Sequence, residues 1–194
     1  MSLLTTALPL ALLLMSATFA APENYILNKD YLVTIHGTSN MHDWDETVET
    51  VTGKGNVTAN SDGTFDLNTL QINMSVLSIK SDERVMTNKT VKALKGDDHP
   101  QITFTLSTPL KSIKAIANGT KVMAKGNLNI AGVTRAVELP VTISMPSPGK
   151  MVFEGSQSIK MTDYGIDPPT ALLGVLKTGN EITLHFKTNF ISTQ

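Results

Sequence analysis

The sequence predicts an all-β fold, a single antiparallel sheet closed into a barrel of about eight strands with one accessory α-helix. Apolar and polar residues alternate along most of the chain, and short turn signals separate the alternating segments. The 194 residues are 41% hydrophobic and 17% charged, with no second zone of distinct composition, so they suit one domain with its own core. Closure favours a barrel because it removes exposed strand edges, although a flattened sandwich would use the same strands.

Each strand is predicted from an alternation of period two, which turns one face inward and the other toward water. We predict strands over 31–39, 43–58, 70–79, 101–110, 120–131, 133–145, 150–161 and 181–190. Turns are predicted at 60–63, 117–120, 130–133 and 147–149. Within the long second strand, Gly53 and Gly55 are expected to cause a bend or bulge.

One helix is predicted between the third and fourth strands, with Ser81 as its N-cap and Gly96 near its exit. Asp82 and Glu83 suit the positive end of the helix dipole. Apolar or small residues recur on one narrow side, so the helix is expected to lie on the barrel instead of filling a core. These residues are Met86, Thr90, Ala93 and Leu94.

Residues 1–20 differ from the rest of the chain. They carry no charged side chain, contain an apolar run at 7–15 and end in small residues, which is typical of a secretory signal peptide cleaved after Ala20. The apolar run is too short to anchor the protein in a bilayer. We therefore expect a signal peptide at 1–20 and a barrel domain at 21–194. The mature protein is expected to be periplasmic or secreted, without a stable membrane anchor.

Composition and motifs argue against several classes of function. The net charge of -1 leaves no basic excess for binding nucleic acid, and the chain contains no cysteine. The motifs of serine hydrolases, phosphate-binding loops and zinc proteases do not occur in it. We therefore predict no enzymatic activity, no catalytic residue, no metal ligand and no required cofactor.

The histidines allow a chemical and a structural interpretation. His42 and Asp43 stand at a bend between two strands, where a hydrolytic or metal site is the alternative to a turn whose side chains bond the backbone. The segment 97–100 looks like a metal site in isolation, but its position predicts a connecting loop. His36 and His185 fall on the outward faces of their strands and are expected to be solvated.

An apolar segment at 168–176 is unusual for a loop, since loops are generally polar. Pro168 and Pro169 are expected to end the strand that carries Met161. The side chains that follow are expected to bury over the open end of an apolar barrel. They are Leu172, Leu173, Val175 and Leu176. The nine methionines would also suit the lining of an adaptable cavity.

Several further segments indicate a protein family. Each is a weak indication alone, but together, in this order and at this spacing, they are specific. They are Gly37-Thr-Ser-Asn-Met-His-Asp-Trp44, Lys92-Ala-Leu-Lys95 with His99-Pro-Gln-Ile-Thr-Phe104, Leu128-Asn-Ile-Ala-Gly-Val-Thr-Arg135 with Leu139-Pro-Val141, and Met161-Thr-Asp-Tyr-Gly165 through Lys177-Thr-Gly179. Through them, nearly the whole mature chain resembles the YceI-like family of secreted and periplasmic lipid-binding proteins. The closest resemblance is to the subgroup with a Thr-Ser-x-x-His-Asp-Trp motif.

The resemblance implies an extended, lipocalin-like barrel with a helix beside it. It also implies a long apolar tunnel that holds polyisoprenoids or other long-chain amphiphiles, with the polar head near one mouth. The predicted tunnel lining is Phe104, Leu106, Leu128, Ile130, Val137, Leu139, Val141, Ile143, Leu184 and Phe186. The predicted mouth and lid are His42, Trp44, Arg84, Met86, Met161, Tyr164, Leu172, Leu173 and Leu176.

The favoured function is therefore an extracytoplasmic binding protein for a polyisoprenoid, a quinone or a fatty amide or acid, acting in transport, storage or sequestration. A structural or stress-response module with a filled barrel is the alternative, because periodicity alone does not separate a packed core from a cavity. The expected partner is a small apolar lipid and not nucleic acid, and a homodimer is left open.

Overall fold

Residues 21–193, which a computed structural model describes, form a closed antiparallel barrel of eight strands with one α-helix. The strands are β1 (Glu23–Ser39), β2 (Trp44–Val48), β3 (Val51–Ala59), β4 (Thr64–Ser75), β5 (Ile79–Lys80), β6 (Gln101–Leu106), β7 (Leu110–Lys114), β8 (Thr120–Ile130), β9 (Val133–Ser147), β10 (Lys150–Lys160), β11 (Thr170–Ala171) and β12 (Leu176–Ser192). Helix α1 spans Arg84–Ala93, and 3₁₀ turns cover Val76–Ser78, Met161–Tyr164 and Leu172–Gly174.

The barrel wall follows the order β12, β10, β9, β8, β6, β4, β3 and β1, and β1 then pairs with β12 to close it. The closing pair is antiparallel and runs from Tyr25 opposite Ser192 to Ser39 opposite Thr178. The short strands lie beside this wall: β2 pairs with β1, β5 with β2, β7 with β4, and β11 with β12. The predicted antiparallel barrel is confirmed, and the sandwich alternative is wrong because the sheet returns to its first strand.

The second predicted strand, 43–58, is two strands. Its first part, β2, pairs with the far half of β1, and its second part, β3, pairs with the near half of β1 and with β4. The bulge expected at Gly53 and Gly55 is wrong, because the irregular register lies between Asn56 and Val57.

Other strand boundaries also differ from the prediction. The strand predicted at 70–79 begins earlier and ends in a 3₁₀ turn. The strand predicted at 101–110 divides into β6 and β7, since Pro109 lacks the N–H that would continue the ladder. The first and last predicted strands, 31–39 and 181–190, are longer than expected because they form the closing pair.

Glycines in the wall make room for aromatic rings instead of bending the strands. A Cβ on Gly53 would lie 2.8 Å from Cζ of Phe190. A Cβ on Gly126 would lie 2.3 Å from Cε2 of Phe104 and 2.7 Å from the carbonyl oxygen of Thr105. These glycines therefore serve the packing of the interior.

The two ends of the barrel are filled differently. At the end where β1 begins and β12 ends, large side chains such as Phe65, Ile143 and Phe190 are each less than 2% exposed. Phe153 meets Phe190 edge to face, with ring centroids 5.2 Å apart. At the opposite end the interior is apolar but hollow, and α1 lies over it.

Helix α1 has Glu83 as its N-cap residue, so the predicted cap at Ser81 is wrong. The Ser81 side chain instead accepts a hydrogen bond from the N–H of Glu83, at 3.3 Å, in the turn before the helix. At the other end, Lys95 takes the left-handed conformation with φ 52°, and the N–H of Gly96 donates to the carbonyl of Val91 at 2.9 Å. This pattern is a Schellman motif, which ends the helix where the sequence predicts.

Gly126→Ala tests whether ring packing against glycine limits the stability of the barrel. The new Cβ meets the Phe104 ring and the fixed backbone of Thr105, so we expect the free energy of unfolding to fall by about 1–3 kcal/mol in urea denaturation. Asn127→Ala, at an exposed position of the same strand, is the control and is expected to change it by less than about 0.5 kcal/mol. Equal losses in the two variants would contradict this packing account.

Candidate functional site

The hollow end of the barrel contains a cavity of about 420 Å³, which is within the size range of small-molecule sites. Helix α1, the corner between β1 and β2, and the segment between β10 and β12 surround its opening. A belt of isoleucines from different barrel strands lines its wall: Ile35, Ile102, Ile130, Ile159 and Ile182. The side of α1 that the sequence predicts to face the barrel also lines it, with Met86, Thr90, Ala93 and Leu94.

Most of the predicted mouth residues come together at this cavity. Those that line it are His42, Trp44, Met86, Met161, Tyr164 and Leu176. Arg84 is exposed on α1 and is not part of the lining, and neither is Leu173. The side chain of Leu172 lies outside the described part of the structure.

The predicted tunnel lining is divided between two voids. A smaller void of about 70 Å³ is lined by Phe104, Leu128, Leu139, Val141, Ile143, Leu184 and Phe186. Ile130 lines the larger cavity, while Leu106 and Val137 line neither. The interior is therefore roomy near the helix and nearly filled below it.

The corner between β1 and β2 is held by its own hydrogen bonds. The indole Nε1 of Trp44 donates to the carbonyl of Thr38 at 3.1 Å, and a Cβ on Gly37 would lie 2.1 Å from the indole ring. The ring nitrogen Nδ1 of His42 lies 2.8 Å from the carbonyl oxygen of Asp43, as the turn interpretation expects. Across the described residues, no cluster of three or more His, Asp or Glu side chains could hold a metal ion.

The segment after β10 differs from its prediction. The strand gives way to the 3₁₀ turn Met161–Tyr164, which Gly165 closes in the left-handed conformation with φ 65°. Pro168 and Pro169 therefore come after the end of the strand and do not cause it. Met161 and Tyr164 are buried in the cavity wall, and so is Ile166, which the sequence analysis missed.

The apolar hairpin of β11 and β12 covers the cavity only in part. Leu173 and Gly174 form its tip, with φ of 56° and 90°. Leu173 is fully exposed and Val175 is 67% exposed, so the prediction that they bury over the mouth is wrong. Apolar composition suggested burial, but at the tip of this two-strand reversal the side chain of Leu173 meets solvent. Leu176, at the start of β12, does line the cavity.

Hydrogen bonds join the elements around the opening. The side chain of Asn40 donates to the carbonyl of Val175 at 2.8 Å and accepts from the N–H of Lys177 at 3.0 Å, which ties the corner to the hairpin. The ammonium group of Lys89 donates to the carbonyl of Thr170 at 2.9 Å, which ties α1 to the same hairpin. The opening is therefore bordered by one connected frame.

Some apolar side chains at the border of the opening are exposed to solvent. Met41 and Val85 line the cavity and are still 69% and 68% exposed. They approach the opening from the corner and from α1, and such side chains rarely stay exposed without a reason when they cluster. An apolar molecule would meet apolar side chains before it reached the isoleucine belt.

A buried carboxyl group, Glu46, is the feature that the sequence analysis missed. It lies on β2 between Trp44 and Val48, its side chain is 1% exposed, and it lines the cavity. Its Oε1 accepts a hydrogen bond from the hydroxyl of Thr90 on α1 at 2.8 Å. Burial raises the pKa of Glu46 to about 7, against a smaller lowering by this hydrogen bond. The inward phase of β2 could have revealed it, since residues 44, 46 and 48 share one face.

Glu46→Gln tests the cost of burying this carboxyl. The folded state holds the proton at higher pH than the unfolded state, where the pKa is near 4.5, so stability falls as pH rises from 4.5 to about 7 and then levels off. We expect the variant to match the wild type at low pH and to exceed it above neutral pH by up to about 3 kcal/mol.

Urea denaturation across this pH range measures the difference. Glu49→Gln, which removes an exposed carboxyl just beyond the same strand, is the matched control and should show no such divergence. A stability difference between Glu46→Gln and the wild type that does not change with pH would refute the raised pKa.

No helix within residues 21–193 has the length and apolar character needed to cross a membrane. The predicted signal peptide, 1–20, lies outside the described residues.

Comparisons with known proteins agree with this fold. Solved structures that resemble it include a polyisoprenoid binding domain from Saccharophagus degradans implicated in plant cell wall breakdown (TM-score 0.69, 14% identity, covering 90% of this chain and 99% of that one). BcnA of Burkholderia cenocepacia is also similar (TM-score 0.64, 18% identity, 84% and 98%). A YceI protein of Campylobacter jejuni follows (TM-score 0.57, 18% identity, 77% and 84%). Because the sequence identities are this low, these similarities are evidence for a shared fold alone.

The sequence comparisons give the family. No curated protein matches the chain. The family model of the YceI-like domain matches residues 30–190, which begin within β1, end within β12 and include α1 and every residue that lines the large cavity. The chain therefore belongs to the YceI-like family.

Proposed function

We propose that this protein is an extracytoplasmic binding protein that holds a long apolar chain in its barrel, for transport, storage or sequestration instead of catalysis. The observation that carries the proposal is the cavity of about 420 Å³ with its belt of isoleucines. The location rests on the signal-like character of residues 1–20.

Burial of hydrocarbon would supply the driving force for binding. Each CH₂ group removed from water contributes about 0.8 kcal/mol, so a chain of about sixteen carbons gains on the order of 10 kcal/mol before the costs of association and ordering. A wall with few polar groups is sufficient for such a ligand, because affinity comes from contact area and not from many hydrogen bonds.

The ligand class is supported by the relative from Saccharophagus degradans, whose name describes a polyisoprenoid binding domain. A polyisoprenoid, a quinone tail or a fatty amide or acid would each present the long apolar chain that the isoleucine belt suits. The exposed Met41 and Val85 offer such a chain an apolar path from the surface to the belt.

Ala93→Phe tests the cavity as the binding site. Ala93 lines the cavity from α1, so the added ring fills the space that a chain would use. We expect the affinity for diphenylhexatriene, an apolar rod that fluoresces when it leaves water, to fall by about tenfold or more, because the ring removes contact area. The free energy of unfolding should stay within about 1 kcal/mol or rise, because the ring fills a void.

Ala136→Phe adds the same ring at an exposed position of β9 and is the control, with unchanged binding of the probe. Equal binding by wild type, Ala93→Phe and Ala136→Phe would place the probe elsewhere and remove the basis of the proposal. A wild-type protein that never binds the probe would do the same.

A further inference from the structure

Glu46 is the polar group of the cavity that binding of an apolar chain leaves unexplained. Its Oε1 is satisfied by Thr90, but its Oε2 is buried and has no hydrogen-bond partner among the described residues. Native structures rarely leave a buried side-chain oxygen unpaired, because the lost hydration is not returned. The carboxyl lies in the wall of a mostly apolar cavity, so a ligand is the natural source of a partner.

No cation within the described residues neutralises this carboxyl. The other titratable side chains that line the cavity are His42, Glu83, Lys89, Tyr164 and Lys177. The ammonium group of Lys89 is engaged by the carbonyl of Thr170, and none of the ion pairs in the described part of the chain includes Glu46.

The neighbouring strands bring no compensating charge either. On β2 the adjacent Asp45 is exposed and lies 2.9 Å from Nδ1 of His36 on β1. Lys80 on β5 is exposed and pairs in register with Thr47. Among the described side chains, the Thr90 hydroxyl is therefore the one hydrogen-bond partner of the carboxyl, and none of the ion pairs reaches it.

These surroundings favour the neutral acid. Burial brings the pKa of Glu46 to about 7, and an apolar chain in the cavity would displace water and favour the neutral form further. Because Thr90 donates to Oε1, the proton of the acid belongs on Oε2. The neutral side chain is then a buried O–H donor that lacks an acceptor.

We infer that Glu46 recognises the polar head of the ligand by donating the hydrogen on its Oε2 to an uncharged oxygen, most suitably a carbonyl oxygen. This inference rests on the proposed function, since the chain must occupy the cavity for its head to reach Glu46. The ligand class is then a long apolar chain with a carbonyl group. An ammonium head would require the ionised carboxylate, and a carboxylate head would bring a second negative charge to a site without a cation.

The test compares three probes of one chain length, tetradecan-2-one, tetradecylamine and tetradecane, through displacement of diphenylhexatriene. Trp44, the only tryptophan in the sequence, lines the cavity and provides a second signal. The neutral acid donates the bond, so the contribution of this hydrogen bond to the affinity for the ketone is complete below about pH 7 and is lost as the pH rises above it. We expect the Kd of the ketone to rise by up to about tenfold for each pH unit above 7, and to rise more steeply than that of tetradecane, which favours the neutral acid only by displacing water.

Variants of Glu46 distinguish the effect of a hydrogen-bond donor at this position from the effect of ionising the carboxyl group. Glu46→Gln keeps a carbonyl for Thr90 and an N–H donor for the ligand, so it should bind the ketone tightly at every pH. Glu46→Met keeps the volume without a donor, so its Kd for the ketone should approach its Kd for tetradecane. Histidine changes charge in the same pH range, so His42→Gln is included and is expected to keep the pH dependence whatever its affinity.

The outcomes distinguish this inference from the proposed function. Ketone binding by the wild type that does not vary with pH, or equal ketone binding by the Gln and Met variants, overturns the inference and leaves apolar-chain binding intact. Tighter binding of tetradecylamine than of the ketone, rising with pH, also overturns it by assigning Glu46 to a cation. Failure of both diphenylhexatriene and tetradecane to bind at any pH overturns the inference and the proposed function together.

Discussion

The pairing of β1 with β12 is the constraint on which the rest of the structure depends. It joins the first and last strands of the domain along most of their length, from Tyr25 opposite Ser192 to Ser39 opposite Thr178. With the sheet closed at eight strands, the inward side chains share one enclosed volume. A barrel of about this size is either filled by its own side chains or leaves space for one small ligand. The size and shape of the side chains at each level decide between these two states.

In this protein one end of the barrel is filled by side chains and the other end is hollow. At the packed end, large buried rings fill the interior, and those of Phe153 and Phe190 meet edge to face from the adjacent strands β10 and β12. At the other end the strands carry isoleucines, whose shorter side chains leave about 420 Å³ between them, and α1 and the hairpin border the space without filling it. Glu46 belongs to the hollow end, where its burial costs stability that a ligand oxygen would partly recover. Stability and recognition therefore depend on the same carboxyl group.

Sequence patterns predicted the strands of the barrel wall better than they predicted which parts of the interior are filled and which are hollow. An inward face must be apolar in every strand, so alternation alone identified the antiparallel barrel and the helix beside it. Ile130 borders the large cavity and Ile143 the packed end, yet they look alike in sequence because the void depends on what faces them across the barrel. Glu46 escaped notice because the break between β2 and β3 was not predicted. Leu173 was misplaced because turn geometry, and not composition, sets its exposure.

The central claim is that one apolar chain occupies the hollow end, and native mass spectrometry tests it most directly. The folded protein would be incubated with farnesyl acetone, a branched isoprenoid chain that ends in a ketone, over a range of ratios. We predict a single added mass of one chain per protein that saturates, because the chain would occupy the cavity of about 420 Å³ at the hollow end of the barrel. A spectrum that shows only the bare protein, or chains that keep adding without saturation, would contradict it.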